Sequence, residues 1–222
     1  MTSDNSDQSA VIIVAAGKGV RYGGQSKKQY SILAGHPVLA WSIFAFVSSG
    51  YKRIIVVAEG NEIEYLKEDI LGSYSFANLI DFTSGGLSRQ KSVCNGIDLI
   101  PQEINWIAIH DSARPLVKIE TIKSVFQAAM THGAALAAIP ATDSTFITSD
   151  MMVESYLDRE TLWQAQTPQV FKKDGITEAH KRAQNDNFLS NDDAALYRKY
   201  IGEVSVIEGD ISNIKVTFPH DL

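Results

Sequence analysis

Four cations crowd one short stretch of an otherwise acidic chain: Lys18, Arg21, Lys27 and Lys28 fall within eleven residues. The stretch opens with Ala15-Ala16-Gly17-Lys18-Gly19-Val20-Arg21, in which two glycines let the backbone turn sharply and bring N–H groups close to phosphate oxygens. A triphosphate carries about four negative charges, and cations set around it stabilise the charge that grows during phosphoryl transfer. Two standard phosphate loops fail here by one residue each. A Gly-x-Gly-x-x-Gly dinucleotide loop needs glycine where Tyr22 stands, and a Walker A loop needs lysine after Gly24, where Gln25-Ser26 follows.

A second constellation is Ile107-Ala108-Ile109-His110-Asp111-Ser112-Ala113-Arg114-Pro115, an apolar strand ending in a carboxylate. Asp111 suits Mg²⁺, a hard ion that takes one or two carboxylates together with phosphate oxygens and water. Arg114 is spaced to contact an anionic substrate; the plainer reading is that Asp111 caps a turn and Arg114 pairs with it. No second His or Cys lies at zinc spacing from His110, so His110 reads as structural. Cys94, the only cysteine, sits among Ser92, Val93 and Ile97 and reads as a small buried hydrophobe. An intrachain disulfide is impossible, and a reducing cytoplasm fits best.

These residues need a scaffold, and the hydrophobic pattern supplies one. Val11–Val14 reads as a buried strand breaking into the glycine loop. Helical and strand-like stretches then alternate: helix Pro37–Ser49, strand Arg53–Ala58, helix Glu62–Leu71, strand Leu79–Phe82, helix Ser88–Ile100, strand Trp106–Ile109, helix Ile119–His132 and strand Ala134–Pro140. That order implies an α/β fold with a mostly parallel sheet covered by helices. Ligands of such sheets sit at the carboxyl ends of the strands, where both the glycine loop and Asp111 fall. From about residue 141 to 171 the pattern becomes mixed and favours extended chain, so a projecting β-arm is expected there, with dimer contact as its natural use. Asp174–Ala183 and Asn191–Tyr200 read as helices, and Val204–Ile207 and Ile214–Thr217 as closing strands.

The 222 residues suit a single domain, 45% hydrophobic and 21% charged. A net charge of −6 without any dense Lys/Arg run excludes a nucleic-acid face as the main business of the chain. No apolar run approaches the ~20 residues that span a bilayer. Residues 1–9 are polar with Asp4 and Asp7, unlike a signal peptide, and are expected to be disordered.

Six segments, in order, resemble the 2-C-methyl-D-erythritol 4-phosphate cytidylyltransferases of the non-mevalonate isoprenoid pathway. They are Ala15-Ala16-Gly17-x-Gly19-x-Arg21, Lys28-Gln29-Tyr30, Gly85-Gly86-x-x-Arg89-x-x-Ser92-Val93, His110-Asp111-x-Ala113-Arg114-Pro115, Leu162-Trp163-x-Ala165-x-Thr167-Pro168-Gln169 and Asn213-Ile214-Lys215-Val216-Thr217. The resemblance implies a Rossmann-like nucleotidyltransferase fold, CTP with Mg²⁺, a polyol phosphate acceptor and a homodimer formed through the arm. It implies roles as well. Arg21 and Lys28 neutralise the α-phosphate, with Lys215 as a further cation. Ala15 through Gly19, Gly85, Gly86, Arg89, Ser92 and Asp111 hold the nucleotide, Gly85-Gly86 and Ser92 reading cytosine and Asp111 meeting metal or ribose. Ser112, Arg114, Asp143, Ser144, Arg159 and Thr167 surround the acceptor, with Arg159 reaching in from a partner's arm.

The chain departs from that family in places. Lys27 replaces a usual proline, and the register favours Lys28 as the inward lysine. Asn191 replaces a usual Thr ahead of Asp192-Asp193, which read as the start of a helix. Leu87 replaces a frequent acid, and Ser144 a Thr. At Pro219-His220-Asp221-Leu222, where relatives begin another helix, the sequence stops; two readings stay open, that this helix is absent or that the chain is one half of a longer one, as in forms fused to the cyclodiphosphate synthase of the same pathway. A ribitol-5-phosphate cytidylyltransferase and an inactive nucleotide-binding module are the competing readings.

Overall fold

The computed structural model describes residues 7–17 and 27–222. Its central strand, β1 (Ser9–Val14), carries side chains buried on both faces and so reads as a continuous apolar run. A small hairpin, β2 (Ile32–Leu33) and β3 (His36–Pro37), leads into α1 (Val38–Ser48). Then come β4 (Ile54–Ala58), β5 (Ile80–Ser84), α2 (Arg89–Asp98), β6 (Trp106–Asp111), α3 (Ile119–His132) and β7 (Ala134–Pro140). The hairpin β8 (Phe146–Ser149) and β9 (Met152–Tyr156) precedes β10 (Trp163–Lys172), α4 (Lys173–Asn185), α5 (Asp193–Tyr200) and β11 (Ser205–Glu208).

Seven strands form one sheet in the order β11-β7-β10-β6-β1-β4-β5, and only β10 runs antiparallel to its neighbours. Alternation along each strand divides the core into two layers. Val11, Ile13, Ile54, Val56 and Ala108 pack under α1 and α3, against Leu39, Ile43, Phe46, Ile122 and Phe126. Ala10, Ile12, Ile55, Val57, Ile107 and Ile109 pack under α2, α4 and α5, against Val93, Ile97, Ile176, Ala179 and Leu196. The expected mostly parallel sheet, covered by helices on both faces, is the architecture found.

Several local expectations change. Only residues 7–9 of the expected disordered lead are described, and they are tied down. Ser9 is buried in β1, Asp7 pairs with Lys52 at 2.8 Å, and the Gln8 carbonyl accepts from the Asn105 and Trp106 amides. The arm is shorter than residues 141–171: Trp163–Lys172 is an interior sheet strand, because its second half supplies the buried residues Gln169, Val170 and Phe171. What remains is β8 and β9, exposed throughout and joined at Asp150 and Met151, both at positive φ. Ile214–Thr217 is extended but not part of the sheet; it crosses the strand ends with the Val216 amide donating to the Ala113 carbonyl at 2.8 Å. Glu62–Leu71 is an irregular helical stretch rather than a regular helix. Cys94 is half-buried: the same turn of α2 sends Val93 and Ile97 into the core instead.

Candidate active site

Three loops leave the same edge of the sheet: Ala15–Gly17 after β1, Gly85–Ser88 after β5, and Ser112–Ala113 after β6. The first two touch. A Cβ on Gly85 would lie 2.3 Å from the Ala16 Cβ, so glycine is required for the approach. The Gly85 amide donates to the Ala58 carbonyl at 2.7 Å. Ser92 Oγ accepts from the Gly86 amide at 3.0 Å and donates to the Ser88 carbonyl at 2.9 Å, so this hydroxyl shapes the loop as well as lining the cleft. Gln29, buried beneath the first loop, donates through Nε2 to the Ala15 carbonyl at 2.7 Å.

The loops border a cavity of about 280 Å³, whose wall includes Ala15–Gly17, Lys28, Gly86, Arg89, Ser92, Asp111, Ser112 and Lys215. A smaller cavity of about 130 Å³ adjoins it, lined by Arg114, Thr167, Gln169 and Asn191 among others. Arg89, Asp111 and Lys215 line both. They are one ionic cluster: Asp111 Oδ2 lies 2.7 Å from Lys215 Nζ, and Asp111 Oδ1 lies 3.3 Å from Arg89 Nε.

Burial alone would raise the Asp111 carboxyl, but Lys215 and Arg89, with a smaller contribution from Arg114, hold it well below the usual carboxylate range. Asp111 is therefore ionised at any working pH. Burial opposes the charge on Arg89, yet Asp193 and Asp111 together raise its pKa. Burial lowers that of Arg114, and Asp111 only partly compensates. Arg114 spends its guanidinium on the chain itself: Nη1 donates to the Asn213 carbonyl at 2.6 Å, while Nε stays 3.8 Å from Asp111. This pins the Asn213–Thr217 segment, from which Lys215 reaches Asp111.

His110 is structural, and its bonding is complete. The Arg114 carbonyl can only accept, so Nε2 donates to it at 3.2 Å and carries the ring proton. Nδ1 then accepts from the Thr167 hydroxyl at 2.9 Å, and Thr167 Oγ1 in turn accepts from the Asp111 amide at 3.1 Å. Burial pushes the His110 pKa down to about 4, keeping the ring neutral.

The two lysines separate cleanly. Lys28 lines the larger cavity and donates to the Val216 carbonyl at 2.8 Å. Lys27 turns instead to Glu59 and Glu62, at 3.0 and 2.8 Å.

A sequence model of the family described as "IspD: 2-C-methyl-D-erythritol 4-phosphate cytidylyltransferase" matches residues 9–222. The chain belongs to this family. A 2-C-methyl-D-erythritol 4-phosphate cytidylyltransferase of Caldanaerobacter subterraneus subsp. tengcongensis is 40% identical over 215 residues, covering 96% of this chain and 95% of that protein. One from Alkaliphilus oremlandii is 38% identical over 221 residues, covering 99% and 94%. The crystal structure of the 4-diphosphocytidyl-2C-methyl-D-erythritol synthase from Anaerococcus prevotii superimposes with a TM-score of 0.82 at 26% identity, covering 96% of this chain and 94% of that one.

Within this IspD-family fold, the residues expected to act divide into three groups. Ala15, Ala16, Gly17, Lys28, Gly86, Arg89, Ser92, Asp111, Ser112 and Lys215 line the larger cavity, Gly85 supports it, and Arg114 and Thr167 line the smaller one. Lys18, Gly19 and Arg21 lie outside the described residues. Asp143, Ser144 and Arg159 lie at the foot of the hairpin, exposed and lining neither cavity; Arg159 Nη1 donates to the Thr142 carbonyl at 3.3 Å. Among the described residues no group of three or more His, Cys, Asp or Glu forms a metal cage. Among the described residues Asp111 is the one carboxylate that lines the larger cavity, and its oxygens already face cations. That donor set fits an Mg²⁺ held mainly by substrate phosphates and does not fit a resident metal.

Sequence reasoning gave no role to Gln29, Gln169, His180, Asp193 or Asn213, all buried and polar. Gln29, Gln169 and Asn213 carried a signal, since all three stand inside the six segments that resemble the family. Asp193 was expected only to begin a helix; in fact Asp192 caps α5, accepting from the Ala195 amide at 3.0 Å, while Asp193 turns inward.

Proposed function

We propose that this chain transfers the cytidylyl group of CTP to 2-C-methyl-D-erythritol 4-phosphate. A phosphate oxygen of the acceptor attacks the α-phosphorus in line, and a new P–O bond forms there. The bond from the α-phosphorus to the bridging oxygen breaks, and pyrophosphate leaves with its electron pair. The attacking oxygen is already anionic near neutral pH, so neither a general base nor a covalent nucleophile is needed. The protein's task is positioning and charge neutralisation.

Family membership supports the reaction, and one observation carries it to particular residues: two adjoining cavities share a wall made of Arg89, Asp111 and Lys215. In this reading CTP takes the larger cavity and the acceptor the smaller, so the reacting phosphates meet at that wall. Lys28, Arg89 and Lys215 hold the phosphates, and Asp111 orients two of those cations. Arg21 joins them from the glycine loop. Asp111 would be the protein partner of an Mg²⁺ bound with the triphosphate, and such an ion would supply additional neutralisation of phosphate charge. His110 takes no part in proton transfer, since both ring nitrogens are engaged inside the core.

The working unit is inferred to be a homodimer in the cytoplasm. The exposed apolar side chains of the hairpin, Phe146, Ile147, Met152, Val153 and Tyr156, support a partner there. Arg159, Asp143 and Ser144, which line neither cavity of a single chain, then serve the acceptor side across that interface. Among the described residues no helix is long and apolar enough to cross a membrane.

The test is pyrophosphate release from CTP with each polyol phosphate in turn, followed by mass analysis of the product. Release with 2-C-methyl-D-erythritol 4-phosphate and not with ribitol 5-phosphate is expected. CTP binding without turnover on any acceptor would leave only a nucleotide-binding module and overturn the proposal.

A further inference from the structure

Asp193 is a carboxylate with 1% of its surface exposed, and it lines neither cavity. A charge buried so deeply persists only if paired. Asp193 is paired twice: Oδ2 accepts from Arg89 Nη1 at 2.6 Å, and Oδ1 accepts from His180 Nε2 at 3.1 Å. The other end of the Arg89 guanidinium meets Asp111. Arg89 is therefore stretched between one carboxylate inside the reaction cleft and one behind it.

The rear anchor is fixed independently of Arg89. Gln169 accepts from the Ala194 amide at 2.9 Å and donates to Asp192 Oδ2 at 2.6 Å, fastening the first turn of α5 to β10. Gln90 holds the preceding loop, donating to the Phe188 carbonyl at 3.1 Å and accepting from the Ser190 amide at 2.9 Å. Arg89 has no comparable support of its own. It is the first residue of α2, its side chain is long, and its cleft partner Asp111 is also claimed by Lys215.

We propose that Asp193, braced by His180, is a positioning residue that fixes Arg89 in the wall shared by the two cavities. It takes up part of the Arg89 charge, so that Arg89 does not collapse wholly onto Asp111 and stays turned toward the phosphates. The proposal rests on the cytidylyl transfer reading above for what the wall does. Asp193 itself touches no substrate.

Asp193→Asn keeps the size but presents an amide to donors on both sides. At a temperature well below the melting point of each variant, its kcat is expected to fall about tenfold or more, by analogy with loss of a preorganised donor. The CTP dissociation constant, measured by calorimetry, should rise a few-fold. Asp193→Glu restores the charge and should recover most of the loss. In an Arg89→Gln background, Asp193→Asn should cost little more, because residues acting as a unit are not additive. His180→Phe, the fallback if Asp193→Asn does not fold, should give a smaller loss in the same direction.

A purely structural role predicts otherwise: lower melting points, unchanged kcat and CTP affinity in the folded variants, and additive losses with Arg89→Gln. Either unchanged constants or additivity overturns the proposal. A wild-type chain that binds CTP but turns nothing over would sink the functional reading alone, and the CTP affinities would still decide the role of Asp193.

Discussion

Substituting Gly85 by alanine adds one methyl group at the point where the first two loops meet. The new Cβ would lie 2.3 Å from the Ala16 Cβ, whereas carbon atoms in contact prefer about 3.5–4.0 Å, so the loops must part by more than about 1 Å. Overpacking of this kind costs about 1–3 kcal/mol. Against it stands a gain of about 0.4–1 kcal/mol from the stiffer unfolded chain, because Gly85 is not held at positive φ. The net loss of stability is therefore modest, and melting temperature is the weaker readout. Turnover is the stronger one. Ala15–Gly17 and Gly86 form one rim of the proposed CTP site, and a displacement of about 1 Å there can cost on the order of 100-fold in rate. Pyrophosphate release at saturating CTP and acceptor measures it. The Ala16→Gly, Gly85→Ala double variant removes the methyl on the opposing side and should regain most of the rate. Wild-type turnover in Gly85→Ala alone, or no recovery in the double variant, would refute the claim that this contact sets the site.

Lys28→Met should lower kcat by about 10²–10³, the usual loss when one charge-stabilising donor is removed, whereas Lys27→Met should leave kcat within a few-fold, since Lys27 serves Glu59 and Glu62; equal losses from both would show the two lysines to be misassigned. Thr167→Val should lower stability by about 1–3 kcal/mol by orphaning both His110 Nδ1 and the Asp111 amide, as read from urea midpoints; an unchanged midpoint would mean that water or rearrangement replaces the hydroxyl. His110 makes the metal-free fold acid-sensitive. Its folded pKa of about 4 lies below the unfolded value of about 6.5, so below that value the unfolded chain binds a proton that the folded ring refuses. The stability involved, about 3 kcal/mol at most, is present above about pH 6.5 and lost as pH falls toward 4. Asp111 and Asp193, both held low, add losses only at more acid pH. Urea midpoints of wild type and His110→Asn across this window should diverge, and parallel curves would count against the assignment.

The parts of this protein that a sequence makes legible are those governed by neighbours along the chain. Period and composition marked β1, β4, β6, β7, α1 and α3 to within two residues at each end, because a strand buried on both faces or an amphipathic helix leaves its signature locally. The same logic misjudged β10. Its first half runs exposed beside β7, and Pro168 lacks the N–H that a regular ladder needs. The pairing register with β7 shifts between Ala165 and Gln169, and the stretch resembles an arm until its partners are known. Ile214–Thr217 misled in the opposite direction: its apolar residues at alternate positions suggest a strand, but Ile214 is exposed and only Val216 is buried, and the backbone that Val216 meets is a loop rather than a strand.

Charge placement was legible only at one end of each interaction. Asp111 announces itself at the end of an apolar strand, yet nothing adjacent to it shows that its cations come from residues 89 and 215, or that residue 193 stands behind the first of them. Asp192 and Asp193 are chemically identical neighbours. One caps a helix at the surface and the other is sealed inside, and the difference arises because successive residues at the start of α5 point in different directions while Gln169 holds the turn still. A carboxylate that far from water has a cost that pairing must offset, and Arg89 and His180 supply the pairing. Such a group needs a reason to be charged at all, and helix capping does not give one, because Asp192 already does that work. Holding Arg89 against the cleft proposed to take the phosphates does.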